Sequence, residues 1–276
     1  MSSGFDEVSV SRALVQAYQS KLLDCLEADV LIAGAGPSGL LAAGDLAEAG
    51  LKTVILEKRL SPGGGVWGGG MAMNDVVLQA DAMGIAEQLG LRTLRAVESL
   101  SVADAGELAC ALYLRAVRAG ARYLNLTAVE DVCIRGEVVT GLVVNRTMIV
   151  DALPVDPIML TARVTIDATG HDAAVVQAVQ RQGLALHTED GRMAGQGAMD
   201  VVAGERFVAE RAGKVCQGLY VSGMAVCVVF GGPRMGPIFG GMLLSGRRVA
   251  ELVAAELAEP VSAASGKTSR HKRPKR

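Results

Sequence analysis

Apolar residues recur at Val8, Val10, Leu14, Tyr18, Leu22 and Leu26, close to helical spacing. The pattern predicts an amphipathic helix that docks on the body of the protein or on another subunit. It then shortens. Asp29-Val-Leu-Ile-Ala33 is a brief apolar run, the composition of a strand buried on both faces of a parallel sheet. The Ala- and Leu-rich residues 38–49 read as a helix closed by Gly50, and Lys52 to Glu57 as a second strand. These three pieces form one βαβ unit with short connections.

After a glycine-rich stretch at 63–70, helices are expected over 75–89 and 105–119, and β-ribbon within 121–150 around a turn at Arg135-Gly136. Strands are expected at 163–167 and 218–224, and a closing helix at about 240–258. Residues 215–233 carry no charge and are long enough to test as a membrane span. Gln217, four glycines and Pro233 make them a buried strand followed by a loop instead. The order of elements predicts an α/β, Rossmann-like domain of the FAD/NAD-binding type, a doubly wound parallel sheet over 29–260. An inserted β-region at about 121–162, a docking helix within 1–28 and a disordered tail at 261–276 complete the expected organisation.

Composition narrows the function classes. Half of the 276 residues are apolar and 34 are glycine, so a large core of small side chains with many turns is expected. Net charge is −2, but Gly266 to Arg276 hold six Lys or Arg and no acid, leaving 21 basic against 29 acidic residues in the body. An acidic body lacks the footprint of a nucleic-acid binder, and the tail reads as a solvated segment. Cys25, Cys110, Cys133, Cys216 and Cys227 are scattered, which argues against a disulfide scaffold and fits a reducing cytoplasm. No signal peptide pattern opens the chain.

The first chemistry-bearing motif is Gly34-Ala35-Gly36-Pro37-Ser38-Gly39, a G-x-G-x-x-G set between a strand and a helix. The first glycine permits the tight turn, the second lets the backbone approach a pyrophosphate, and the third lets helix and strand pack closely. The helix N-terminus then offers amides and a positive dipole end to phosphates. Glu57, eighteen residues after Gly39, ends the second strand where a carboxylate accepts hydrogen bonds from a ribose diol. An acid there favours NAD or FAD over NADP. Flavoproteins of this class tend to carry Gly-Asp late in the chain for the ribityl group; here the equivalent residues are Gly223-Met224, which disfavours a flavin.

Four further segments act as a set: Gly63 to Met71, Asp156-Pro157, Asp167-Ala168-Thr169-Gly170-His171-Asp172, and Pro233-Arg234-Met235-Gly236-Pro237. In that order they resemble the thiamine thiazole synthase family, especially its archaeal and bacterial sulfide-using branch, over roughly residues 8–258. The resemblance implies an enzyme of thiamine biosynthesis that consumes NAD as a substrate. Nicotinamide is lost, the ribose carbons condense with glycine, and sulfur is added to give an ADP-linked thiazole carboxylate. It implies Fe(II), and homo-octamers whose sites are shared between protomers. By the same resemblance Gly34, Gly36, Ser38, Gly39, Glu57, Lys58, Gly65, Val129, Pro154, Val155, Asp156 and Met224 contact the dinucleotide or its product. Asp156 and His171 resemble the iron ligands, and Arg234 the residue that holds the glycine carboxylate. Oxygen and imidazole donors suit Fe(II), and a guanidinium suits bidentate pairing with a carboxylate.

The chain departs from the family at one branch point. Two residues before Asp156, self-sacrificing members place a sulfur-donating Cys and sulfide-using members a His; here the residue is Pro154. Proline offers neither sulfur nor a ligating nitrogen, so external sulfide is the expected sulfur source. Cys133 and Cys227 read as buried strand residues rather than alternative donors. The competing readings are an FAD-dependent oxidoreductase and a non-catalytic paralogue that binds NAD or its product.

Overall fold

The computed structural model describes residues 4–150 and 153–259. The basic segment 261–276 lies outside them. The chain opens with α1 (Glu7–Cys25), whose Asp6 N-cap accepts from the Ser9 amide at 2.8 Å. The βαβ unit follows as β1 (Glu27–Ala33), α2 (Pro37–Glu48) and β2 (Thr53–Leu56). Next come β3 (Asp75–Gln79), α3 (Met83–Gln88), β4 (Thr93–Val97), β5 (Leu100–Asp104) and α4 (Ala105–Arg118). The strands β6 (Arg122–Leu124), β7 (Thr127–Arg135), β8 (Val138–Arg146) and β9 (Ile158–Asp167) precede α5 (Ala174–Arg181). The chain ends with β10 (Gly197–Met199), α6 (Val201–Arg211), β11 (Gly213–Cys216), β12 (Leu219–Val221), α7 (Met224–Phe230), β13 (Pro233–Arg234) and α8 (Gly240–Ala258).

The expected parallel sheet is present. Its order is β6-β2-β1-β9-β12, all parallel, with β11 antiparallel on the outer edge. The carboxyl-terminal four residues of β1 and of β9, and all of β2, are continuously buried, as a parallel strand covered on both sides requires. The hairpin β7–β8 joins this sheet through antiparallel pairing of Gly141–Val144 with Ile158–Thr161. The β-region anticipated at 121–162 therefore contains three differently used pieces. Arg122–Leu124 is an edge strand of the parallel core, 127–146 is the hairpin, and Ile158–Asp167 is one continuous core strand.

Helices α2, α4 and α8 pack together, and Asp45 on α2 ties them. It accepts from Arg115 of α4 at 2.5 Å and from Arg247 of α8 at 2.9 Å. Nine of the twelve residues of α2 are buried, which its Gly, Ala and Leu content allows without aromatic bulk.

Three expectations need correction. The helix over 75–89 is a strand, a turn and a six-residue helix. Val76 and Leu78 alternate inward, and β3 pairs with β5 in a separate three-stranded antiparallel sheet with β4, so period-two burial overrides the helical reading. The uncharged 215–233 stretch is β11, β12 and the apolar helix α7, not a strand and a loop; among the described residues no helix is long and apolar enough to cross a membrane. Cys227 accordingly sits on a buried helix rather than a strand.

α1 does not dock its apolar face on the body. Val8, Val10, Leu14, Val15 and Leu23 are all exposed, and the helix is held near its end by Asp24–Arg122 and Tyr18–Arg146 contacts.

One buried acid lies in the helical layer. Glu205 of α6 accepts from the Gly241 amide at the start of α8, at 2.6 Å. Burial pushes its carboxyl up from the usual 4.5 to about 7, against the pull of that amide. Between those two values the unfolded chain releases a proton that the folded chain keeps, so stability falls as pH rises from about 4.5 to about 7 and stays lower beyond. Glu205→Gln is expected to unfold like the parent below this window and to be more stable above it by up to about 3 kcal/mol. Urea denaturation across the pH range checks this, and a parallel pH profile in both proteins would refute it.

Candidate functional site

The strand order turns back at β1, with β2 and β6 on one side and β9 and β12 on the other. Ligands of open α/β sheets bind beyond the carboxyl ends of the strands at such a point. A cavity of about 650 Å³ lies there, lined by residues that follow β1, β2 and β9, by the glycine-rich loop, by the start of β7 and by the segment around Arg234. Its volume is that of a small-molecule or cofactor site.

The turn after β1 is built by exclusion of side chains. Gly34 has φ +102°, and a Cβ there would lie 2.4 Å from the Ala168 carbonyl oxygen. A Cβ on Gly39 would lie 2.2 Å from the Gly34 carbonyl oxygen. Gly36 is the N-cap of α2, with no side chain capping the helix and open space where its Cβ would point. The N-terminus of α2 thus borders the cavity at Gly36, Pro37 and Ser38 with no side chain capping it, an arrangement suited to phosphate. Gly34, Gly36 and Ser38 line the cavity; Gly39 lies behind it and serves packing. The glycine-rich loop closes over this turn, with the Gly64 Cβ position 3.1 Å from Gly36 Cα. Gly65 lines the cavity, and the loop continues through Met71 and Ala72, both held at positive φ.

Glu57 is buried and both its oxygens are engaged. Oε2 accepts from the Ala35 amide and Oε1 from the Arg59 amide, each at 2.8 Å. Each oxygen keeps a further lone pair for a ribose hydroxyl. Lys58 stands beside it and donates to Asp172 at 2.7 Å across the rim. Both partners are more than half exposed, so the pair contributes at most about 1 kcal/mol and opens easily. Glu57 and Asp172 are the acids of the cavity lining; no acid accompanies Gly223-Met224.

Val129, His171, Met224 and Arg234 also line the cavity. Pro154, Val155 and Asp156 do not. They lie on the exposed segment before β9, where Asn145 Nδ2 donates to the Val155 carbonyl at 3.2 Å. The ten residues of β9 separate this segment from the loop that carries His171. At about 3.3 Å per residue the strand spans about 30 Å. Within one chain, Asp156 and His171 do not meet.

The chain matches the Thi4 family model over residues 11–239. The chain belongs to the Thi4 family. The thiamine thiazole synthase of Methanothermobacter thermautotrophicus is 48% identical over 91% of this chain and 98% of that protein. That of Pyrococcus abyssi is 44% identical over 91% of this chain and 98% of that protein. The crystal structure of Thermovibrio ammonificans THI4 superposes with a TM-score of 0.91 at 41% identity, covering 93% of this chain and all of that one. The motif-based resemblance thus holds, and so does the α/β, Rossmann-like fold expected from the order of elements.

Behind the lining of this Thi4-family cavity, two residues support the site to which the sequence reading gave no role. Asp167 closes β9 and is fully buried. Its Oδ1 accepts from the Thr169 amide and hydroxyl, at 3.0 and 2.7 Å. Its Oδ2 accepts from the Val175 and Val176 amides, at 2.9 and 3.0 Å. Burial pushes the carboxyl up, and these four bonds, two at the start of α5, pull it back. Asp167 thereby shapes the loop 168–173 that presents His171. The second contributor is Gln196, whose Oε1 lies 3.0 Å from His171 Nδ1. The Asp167 bonds to Thr169 have the local spacing of an Asx turn, but those to Val175 and Val176 and the His171–Gln196 contact do not.

The cysteines stand apart from the cavity lining. Cys227 donates to the Pro233 carbonyl at 3.1 Å, and burial pushes its thiol up to about 11. Cys133 is half-buried and also raised by burial.

Asp167→Ala strands four donors, two of them at a buried helix start. It is expected to cost about 3 kcal/mol or more in urea denaturation, with Asp167→Asn intermediate. A loss below about 1 kcal/mol for the alanine variant would show that the carboxylate does not hold the loop.

Proposed function

We propose that this chain is a thiamine thiazole synthase that takes NAD as substrate. It releases nicotinamide, condenses the exposed ribose with glycine and incorporates external sulfide, giving an ADP-linked thiazole carboxylate. The observation that supports this reading is one cavity in a Thi4-family chain that gathers the dinucleotide turn, Glu57, His171 and Arg234.

In this reading the amides at the start of α2 hold the pyrophosphate and Glu57 accepts the adenosine ribose hydroxyls. Arg234 pairs with the glycine carboxylate through two parallel N–H donors, which orients the amine toward the ribose carbons. The glycine-rich loop limits access of water.

In this reading iron is held by residues of more than one subunit. Among the described residues no group of three or more His, Cys, Asp or Glu side chains is placed to hold a metal ion. One imidazole at the cavity is too few, and Asp156 is a strand length away. In this reading the described residues of one chain are too few to hold Fe(II) by themselves. A homo-octamer with shared sites would bring Asp156 of the partner subunit to His171. The exposure of Leu153, Val155, Ile158 and Met159 around Asp156 supports contact with another copy, because clustered exposed apolar residues mark interaction surfaces.

Pro154 favours one alternative, a paralogue that binds NAD or its product without turnover. It also removes this position as a sulfur donor. The raised thiols of Cys133 and Cys227 make poor substitutes, since the thiolate is the reactive form.

Anaerobic incubation of the full chain with NAD, glycine, Fe(II) and sulfide, followed by mass spectrometry, is expected to yield nicotinamide and an adenylated thiazole. Nicotinamide alone would mark an arrested enzyme, and no nicotinamide a binding protein. The intact protein mass should be unchanged after turnover; loss of one sulfur would rule out external sulfide as the source. Arg234→Gln should raise the KM for glycine about 10- to 100-fold, as expected for losing a charge-assisted pair. Pro154→His lies on an exposed segment and should fold normally while altering the Fe(II) dependence of the rate. Identical Fe(II) titrations in both proteins would count against a metal role for this position.

A further inference from the structure

The chain leaves β2 through four residues whose carbonyls are all engaged. Glu57 accepts from the Thr127 amide at 2.9 Å, Lys58 from Thr147 Oγ1 at 2.7 Å, Arg59 from the Leu126 amide at 3.2 Å and Leu60 from Asn125 Nδ2 at 2.9 Å. The Arg59 amide also donates to Glu57 Oε1 at 2.8 Å. Both backbone polar groups of Arg59 are therefore fixed. Its side chain is not. Arg59 is exposed and lines the cavity, and among the described residues its guanidinium has no hydrogen-bond or ion-pair partner. The two acids of the lining are already engaged: Glu57 gives both oxygens to amides, and Asp172 holds Lys58. A cation on a rigid mount, without an anion of its own, is placed for a ligand.

The order of strands tells which part of a ligand that is. β1 leads into the turn before α2, and β2 ends at Glu57. β6, on the far side of β2, leads into Thr127, Ala128 and Val129 of the lining. A dinucleotide held with its pyrophosphate at the start of α2 and its ribose at Glu57 therefore directs its base toward β6 and β7. Arg59 belongs to that end, because the Glu57 and Arg59 carbonyls accept from Thr127 and Leu126. The base has no net charge for a guanidinium to pair with. It offers a flat π face, on which a planar, weakly hydrated guanidinium stacks. Ala128 and Val129 add apolar contact for the same ring.

We propose that Arg59 stacks its guanidinium on the purine of the bound dinucleotide and so selects the base at the adenosine end. The placement of the base rests on the dinucleotide site proposed above. It does not require that the dinucleotide be consumed.

Calorimetric titration of the full chain with ADP and with UDP tests this, because the two probes share ribose and pyrophosphate and differ in the base. The parent is expected to bind ADP more tightly. Arg59→Gln should weaken ADP about 3- to 30-fold, the range for a cation on a ring, and UDP by less than about 3-fold, while melting at the parent's temperature. Arg59→Lys keeps the charge but not the plane, and should recover only part of the ADP affinity. Equal losses for both nucleotides in Arg59→Gln, or full recovery in Arg59→Lys, would make Arg59 a charge that attracts phosphate and overturn the proposal. Unaltered ADP binding in Arg59→Gln, or no ADP binding by the parent, overturns it as well. Turnover separates the two readings. A parent that shows the base-dependent loss but forms no thiazole refutes the proposed function alone, and a parent that forms thiazole while both nucleotides weaken equally refutes the stacking alone.

Discussion

The meeting of three backbone segments at Gly34 governs the rest of this molecule. β1, β9 and α2 approach so closely there that a methyl group on Gly34 or Gly39 would overlap a carbonyl oxygen. That contact sets the distance between the two central strands at their carboxyl ends. It also aims the start of α2 into the gap between them. A looser turn would leave a sheet and a helix, but no cavity with phosphate-facing amides at its base. Asp167 then performs the matching task on the neighbouring strand, since its four hydrogen bonds fold the next loop back over the same gap. Two small, rigid turns on adjacent strands thus define the site before any reactive side chain is considered.

Legibility in the sequence followed the range of the interaction. The glycine turn, Glu57 and the βαβ unit are local features, and spacing alone exposed them. His171 and Arg234 entered through resemblance of several motifs taken together, and the structure gathers them in one cavity. The strand at 75–79 was misread because the consecutive apolar residues Val76, Val77 and Leu78 show no clear period over so short a run; pairing with β5, more than twenty residues later, decides. The helix α7 was hidden for a related reason: a fully buried apolar run carries no periodicity to read. Asp167 stood in plain view at the end of a motif, yet its function depends on amides that only the tertiary fold brings to it. Gln196 had no local mark at all.

The separation of Asp156 from His171 is equally informative. Both belong to the same motif set, but β9 lies between them. Residues that resemble a ligand pair in sequence are at opposite ends of one strand. Apolar positions of α1 and of the segment before β9 are exposed, as the proposed shared-site assembly requires.

Under the proposed function, the double commitment of Glu57 has a consequence for how NAD would be received. Its oxygens are fixed by the Ala35 and Arg59 amides without any ligand. The rotational entropy of that carboxylate is lost on folding, and docking of the ribose incurs no further ordering cost there. The adenosine end therefore meets a preorganised receptor. Affinity gained at this inert end remains available to strain and orient the opposite end, where the glycosidic bond would break in the proposed reaction. The carboxylate that looks like a simple recognition element is, in this sense, an anchor against which the reactive half of the molecule can be held.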